Sequence, residues 1–253
     1  MAGFRQRVPA FGNIAMVAHP SVTLLIDLSQ GEGPVYDING RQQRGSVVVG
    51  LLPGDLRAGG RARVDCLQIR LEPAVAATVL GATTELSSMV VSLEDVWGRD
   101  AGRAEERLCA AASWDERFTI ATEILARRLG NPAAVDPEVA YTWHRTLTSR
   151  GRVRVDGLAD AVGWSRKRLW SRFRSQLGIT PKRAARLVRF DRAAHLLAAG
   201  HAAADVAAES GYVDQSHLHR EVKEFAGLTP TAVAAAPWLG IDDVAWPGSS
   251  PGR

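Results

Sequence analysis

Between residues 164 and 190 the chain carries nine Lys and Arg side chains and no Asp or Glu. Apolar residues recur through the same stretch at helical spacing, so these cations sit on a folded surface. Guanidinium groups are planar, permanently charged and rich in N–H donors, which suits them to phosphate oxygens. Binding of a polyanion is therefore the first chemistry this sequence suggests. Other chemistries find less material. The two cysteines, Cys66 and Cys109, have neither CxxC spacing nor a His cluster, so no metal site or disulfide framework is expected, and a reducing cytoplasm is the simpler setting. A nucleophilic role would require a thiolate. Cys66 stands in an alternating strand-like run, residues 64–67, and Cys109 in an Ala-rich helical one. Neither has a neighbour that clearly favours ionisation, so structural cysteine is expected over the rival reading, a DNA-associated methyl-acceptor enzyme using one of them. Asp27, Glu32 and Asp37 are scattered acids that form no paired-carboxylate constellation, and no cofactor is expected.

The charge is unevenly spread. Residues 151–253 hold 15 Lys and Arg against 10 Asp and Glu, whereas the first 150 residues are close to neutral. That asymmetry fits one unit meeting a polyanion and another doing something else. At 253 residues the chain can fill two domains. No apolar run of about twenty residues and no leader-like start is seen, so neither a membrane span nor a signal peptide is expected.

The elements that must position the cations divide at residues 149–151. The first half reads as short β-branched strands at 21–27, 46–52 and 63–71, then helices at 73–80, 93–97, 104–112, 114–129 and 137–147. Ser113 is the expected cap of the fourth, whose Phe118, Ile120, Ile124, Leu125 and Leu129 make an apolar stripe, and Gly130-Asn131-Pro132 should end it. A small, strongly curved sheet or barrel is expected. Val22, Leu24, Ile26, Val48, Leu67 and Ile69 either line a ligand pocket inside it or form solid core.

The second half contains an internal repeat. Gly178, Thr180 and Pro181 recur 49 residues later as Gly227, Thr229 and Pro230, Leu169 maps to Leu218, and Ser165 to Asp214. Each copy spells a short helix, a glycine turn (Gly163, Gly211), an N-cap and a second helix closed by glycine. A connecting helix, 181–199, should bury Ala184, Leu187, Val188, Ala194 and Leu197 and turn Lys182, Arg183, Arg186 and Arg189 outward. In the first unit Leu169, Phe173 and Leu177 form the buried face of the second helix. Arg166, Lys167, Trp170 and Ser171 then lie where a helix in the major groove meets base edges or thymine methyls. Arg168, Arg172, Arg174, Lys182 and Arg183 are the phosphate candidates. In the second unit Gln215, Ser216, His219 and Arg220 are the base-edge candidates. Glu221 and Glu224 make that helix less cationic, so the first unit should supply more affinity and the second more discrimination. Trp164 is expected in the core, and His217 and His219 have no ligand-spaced partners for a metal.

Two such units on one connecting helix resemble the AraC/XylS family of bacterial transcription regulators. The resemblance covers residues 151–235 and rests on the segment from Gly178 to Leu197 and on Gly211-Tyr-Val-Asp-Gln-Ser-His-Leu-His-Arg220 with Gly227-Leu-Thr-Pro230. Val222 departs from it, standing where the family usually has an aromatic and Phe173 stands in the first copy, which should loosen the second core. The resemblance implies an α+β protein with three parts: a β-rich sensor or dimerisation region, cupin-like or a small curved sheet, over 1–150; an all-helical DNA-binding domain over 151–237; and a flexible tail over 238–253. It further implies double-stranded promoter DNA as partner, a small-molecule effector, a homodimer formed through the first half, and RNA polymerase where the protein activates.

Overall fold

Apolar runs at positions 22–27 and 64–71 build the sheet on which the first half rests. In this computed structural model the residues described are 1–29, 33–38, 40–52, 56–81, 90–130 and 135–235. The tail over 238–253 and Asn131-Pro132 lie outside them. Seven strands form one antiparallel sheet: β1 Ala2–Ala15, β2 Val22–Asp27, β3 Val35–Ile38, β4 Arg41–Arg44, β5 Val47–Val49, β6 Leu56–Leu71 and β7 Val90–Ser92. Their order is β4-β3-β6-β2-β5-β7. β6 is the spine. Its residue Ala58 pairs with both Tyr36 and Ile14, so β3 and β1 flank it on opposite sides. Further along, Leu67 pairs with Ile26 of β2 and Gly3 of β1.

Three strands were expected, and the strand at 46–52 contracts to Val47–Val49. β1 escapes a sequence reading because Pro9 interrupts it. A proline cannot donate to the ladder and is tolerated at irregularities. Here the register jumps from Val8 to Phe11 around Pro9.

Period two sends alternate residues to opposite faces, and both faces are buried. Val22, Leu24, Ile26, Val48, Leu67 and Ile69 join one apolar cluster with residues of α1 (Pro73–Leu80), α2 (Leu93–Trp97) and α3 (Arg99–Ala110). Leu25, Val47, Val49, Leu56 and Cys66 form a second cluster. α3 begins five residues before the expected 104. α4, Trp114–Leu129, is capped by Ser113, whose hydroxyl accepts from the Glu116 N–H. Its apolar stripe is rotated from expectation. Arg117 and Ala121 are the buried positions, Leu129 is exposed, and Phe118, Ile120, Ile124 and Leu125 are half-buried. The cause is Arg117, whose guanidinium reaches inward to Asp65 of β6 at 3.1 Å and donates to the Leu108 carbonyl at 3.1 Å. Both partners are almost wholly buried, at 5% and 1% exposure. This pair ties the sheet spine to α3 and α4.

The helical half comprises α5 Pro137–Thr148, α6 Val155–Ala161, α7 Arg166–Leu177, α8 Pro181–Ala198, α9 Ala203–Glu209, α10 Gln215–Ala226 and α11 Pro230–Ala234. The division at residues 149–151 does not separate two packing units. α5 packs on α7 and α8, and its buried Trp143 stacks on Phe173 at 6.3 Å between centroids. The chain there makes a tight turn inside the helical bundle, with Arg150 at φ 55° and Gly151 at φ 72°. A Cβ on Gly151 would lie 2.2 Å from the Ala185 carbonyl oxygen of α8, so only glycine permits this approach.

The two halves also share core. Phe173, Leu177 and Ile179 belong to the same buried cluster as α1. The Ala18 N–H donates to the Phe225 carbonyl at 3.3 Å, and His19 Nε2 lies 3.4 Å from Asp191 of α8. Burial, then the charges of Arg70 and His195, pushes the His19 imidazole well below its ordinary pKa.

Three outcomes follow for stability. Asp65→Ala strands a buried guanidinium and should cost about 3–5 kcal/mol in urea unfolding, most of it recovered when Arg117 is also replaced by Met. Gly151→Ala should lose more than the about 1–2 kcal/mol of a left-handed L-residue, because of the contact with α8. Arg150→Gly, relieving the same strain without that contact, should gain up to about 1 kcal/mol.

Candidate nucleic-acid interface

Each unit is built by local signals that the sequence repeats. In the first, Gly163 (φ 66°) turns the chain after α6, and the Trp164 N–H returns to the Ala159 carbonyl at 3.0 Å. Ser165 caps α7 by accepting from the Arg168 N–H, and Gly178 closes it in the left-handed conformation. In the second, Gly211 (φ 76°) turns the chain after α9, and the Tyr212 N–H returns to the Ala207 carbonyl at 2.9 Å. Asp214 caps α10 through the His217 N–H, and Gly227 closes it. Thr180 and Thr229 cap the helices that follow, each with proline at its first turn. α8 has 18 residues, about 27 Å of helix, and joins the two units. The turns differ in one respect: Tyr212 takes the place of Trp164, and the second unit carries an additional residue, Val213, before its cap.

On α7 the apolar anchors Leu169, Phe173 and Leu177 are buried, and Arg166, Lys167, Trp170 and Ser171 are exposed. Trp170 is 44% exposed, with the Arg174 guanidinium 5.2 Å from its ring centroid. Arg166 also reaches Asp156 of α6 at 3.1 Å, a solvent-exposed pair. Trp164, expected in the core, is half-buried beneath the Arg168 guanidinium at 4.5 Å. On α10, Leu218, Val222 and Phe225 are buried, while Gln215, Ser216, His219 and Arg220 are exposed. Arg220 lies along its own helix, Nε donating to the Ser216 carbonyl at 3.4 Å. Lys182 and Arg183 are exposed at the start of α8. The smaller Val222 leaves no loose core. It is fully buried, and Phe225 packs on Phe190 at 5.2 Å much as Phe173 packs on Trp143.

Four charged residues are placed differently from expectation. Arg186 and Arg189 do not turn outward. Both grip the carboxylate of Glu221, Arg186 Nε at 2.8 Å and Arg189 at 3.2 Å. Glu221, expected on the exposed face, is 1% exposed. Arg186 also bonds Glu224, and the Arg189 guanidinium lies 4.9 Å from the Tyr212 ring centroid. Burial first, then the Glu221 charge, drives the Tyr212 phenol far above its ordinary range, so it is neutral here. Arg172, a phosphate candidate, makes a bidentate pair with Asp136, the N-cap of α5, at 2.8 and 2.9 Å. Burial works to raise the Asp136 carboxyl, but hydrogen bonds with Arg172 and Gln176 outweigh it and hold the group below the usual carboxylate range. Residues 172 and 221 are 49 apart. The same repeat position therefore ties each unit's second helix to the helix before the unit, with the charges reversed. The roles of Asp136 and Glu221 were missed, although the repeat offset was the signal that could have found them.

The two thiols are poorly placed for covalent chemistry. Burial, then Asp27 and Asp65, pushes Cys66 up to about 12, and burial raises Cys109 despite the nearby Arg117. Among the described residues no three His, Cys, Asp or Glu side chains converge on a metal position, and no helix is long and apolar enough to cross a membrane.

Known proteins share this geometry. The helix-turn-helix domain family matches residues 158–236. An uncharacterised HTH-type transcriptional regulator of Bacillus subtilis (strain 168), YbfI, is 37% identical over 66 residues, 26% of this chain and 24% of that protein. The matched stretch thus spans about a quarter of the relative. Likeness to solved structures extends much further. ToxT from Vibrio cholerae superimposes with a TM-score of 0.54 over 93% of this chain and 98% of its own, at 10% identity. ToxT bound to (E)-4-(8-methylnaphthalen-1-yl)but-3-enoic acid gives 0.55 at 9% identity over the same shares. Wild-type ToxT bound to an unsaturated fatty acid gives 0.51 at 10%, covering 92% and 93%. At such identities the likeness establishes the fold. The chain is thus an α+β protein whose helical half carries a helix-turn-helix domain.

Proposed function

We propose that this chain is a transcriptional regulator that reads promoter DNA with α7 and α10 and answers to a small molecule bound in its β-rich half. One observation carries the reading: two helices, each with a side-chain N-cap, a closing glycine, a buried apolar face and an exposed polar one, are both packed against one connecting helix. A helix in the major groove needs that division of faces, and units so spaced fit successive groove segments about one turn apart. Arg166, Lys167, Trp170 and Ser171 are the base-edge set of the first unit, and Gln215, Ser216, His219 and Arg220 that of the second. Arg168, Arg174, Lys182 and Arg183 are the phosphate set. Arg172 belongs to it conditionally, since a phosphate must displace Asp136, and an exposed ion pair is worth only about 0–1 kcal/mol. The DNA-binding unit in this reading begins at α5, near residue 136, because α5 backs α7.

Control by an effector rests on the whole-length likeness to ToxT, for which bound organic acids are recorded. An effector changes the outcome only if it binds one arrangement of the two halves better than another. Val22, Leu24, Ile26, Val48, Leu67 and Ile69 form the sheet face against α1–α3 where an apolar molecule would insert. RNA polymerase contact in activation and pairing of two copies through the β-rich half belong to the same reading. The raised pKa of both thiols does not favour the enzymatic alternative.

Selection of bound duplexes from a random pool tests the reading. The full chain should enrich a long two-part site, and Arg220→Ala should relax one position at a cost of about 1–3 kcal/mol. Asp136→Asn should tighten binding to every sequence and steepen its salt dependence by about one phosphate, and Arg172→Ala should abolish that gain. Absence of enrichment together with absence of binding at low salt would sink the proposal. For the effector arm, an unsaturated fatty acid should raise the melting temperature and shift DNA affinity together; stabilisation with unchanged DNA affinity counts against control.

A further inference from the structure

The turn of the second unit holds the most solvent-exposed large apolar side chain among the described residues, Val213, at 88% exposure. Single exposed apolar residues are common on protein surfaces and need no explanation of their own. Val213 differs in where it is and in how it comes to be there. The corresponding turn of the first unit has one residue between glycine and cap, Trp164, whose N–H closes the turn on Ala159 and whose ring is half-buried under Arg168. In the second unit Tyr212 performs both tasks, its N–H bonding Ala207 and its buried ring lying under Arg189. Val213 is left over. It does not close the turn, cap the helix or fill the core.

The extra residue is nevertheless held in a defined position. Its neighbour Asp214 is fixed by the 2.7 Å bond from the His217 N–H, and Tyr212 is anchored in the core. Val213 therefore projects at the N-terminal tip of α10, and with His217 and Arg220 it borders an open groove of about 450 Å³. The N-terminal residues of a recognition helix are the ones that meet base edges. Every other exposed group at that tip is polar: Asp214, Gln215 and Ser216. The major groove offers one apolar feature at base level, the 5-methyl group of thymine.

We propose that Val213 packs its methyls on the 5-methyl group of a thymine in the groove segment entered by α10, adding an apolar specificity contact beside the polar ones of Gln215, Ser216 and Arg220. This rests on the DNA-binding reading above and names one of its determinants. The first unit has no counterpart at that place, so the contact belongs to one half of the site only.

Replacing thymine by deoxyuridine removes the methyl and nothing else. The selected site, carried in full duplex, is rebuilt with deoxyuridine at each thymine in turn and titrated with the full wild-type chain, Val213→Ala and Val213→Thr. At one thymine under α10, deoxyuridine should weaken wild-type binding about fourfold, the worth of one buried methyl-sized group. Val213→Ala should show the same loss on the thymine site and no further loss on the deoxyuridine site, while Val213→Thr, which keeps one methyl and the branched backbone preference, should fall between. Additive losses at every thymine, or a selected site with no thymine under α10, overturn this assignment and leave the regulator reading standing. A wild-type chain that selects no sequence at all overturns both. Because Val213 packs against nothing, the variants should keep the wild-type melting temperature, and a variant that binds all duplexes more weakly by the same factor also counts against a base-level contact.

Discussion

The arrangement of the helical half depends on a carboxylate in the wrong medium. Glu221 is almost wholly removed from water, and a buried charge is tolerable only where opposite charge and hydrogen bonds replace its hydration. Arg186 and Arg189 do so from α8, one of them also holding Glu224. Two cations of the basic stretch are thereby withdrawn from the surface and used to fix α10 against the connecting helix. Removing the two arginines would leave Glu221 buried and uncompensated, which is costly enough, about 3–5 kcal/mol, that the link acts as a permanent joint. The angle at which the second unit is offered is then set by α8, not by the turn that precedes it.

The first unit uses the same repeat position differently. Arg172 holds Asp136, but both partners are substantially exposed, where water and salt weaken the pair. The bond can be exchanged for a phosphate at little cost. Two copies of one design therefore hold their second helices with unequal firmness, and the looser one carries the greater positive charge. Depression of the Asp136 carboxyl by Arg172 and Gln176 makes the contact fully present above the ordinary carboxylate range and lost as pH falls through the lowered value.

Much of this was legible before any coordinates. The glycine, cap and proline signals of the repeat are local, and a local signal needs no knowledge of partners. Ser113, Ser165 and Asp214 all cap where expected. α1, α2 and α4 also begin and end at the expected residues. What was not legible depends on contacts distant in sequence. β1 exists because β6 is long enough to pair along it, despite Pro9. The rotation of α4 follows from Asp65, 52 residues away from Arg117. α5 joins the helical bundle through Trp143 and Phe173, and no composition shift marks that. Charge counting misplaced Arg186, Arg189 and Glu221 for the same reason: side chains of opposite sign on two helices look solvent-facing until the helices are packed together.

Packing also bears on how the first half could influence the second. The back of α7, at Phe173 and Leu177, shares a buried cluster with α1 and lies against that helix, and Leu24, Ile26, Leu67 and Ile69 of the sheet belong to the same cluster. Close-packed interiors transmit displacement because they hold no free volume to absorb it. A molecule inserted between sheet and α1 would therefore press first on the unit whose ion pair is exchangeable. α10 meets the first half at its far end, where the Ala18 N–H donates to the Phe225 carbonyl, and is locked to α8 by Glu221. The second unit is thus tied to α8 and touches the first half through Phe225, whereas α7 of the first unit rests on α1. A displacement arising in the β-rich half would reach α7 through α1.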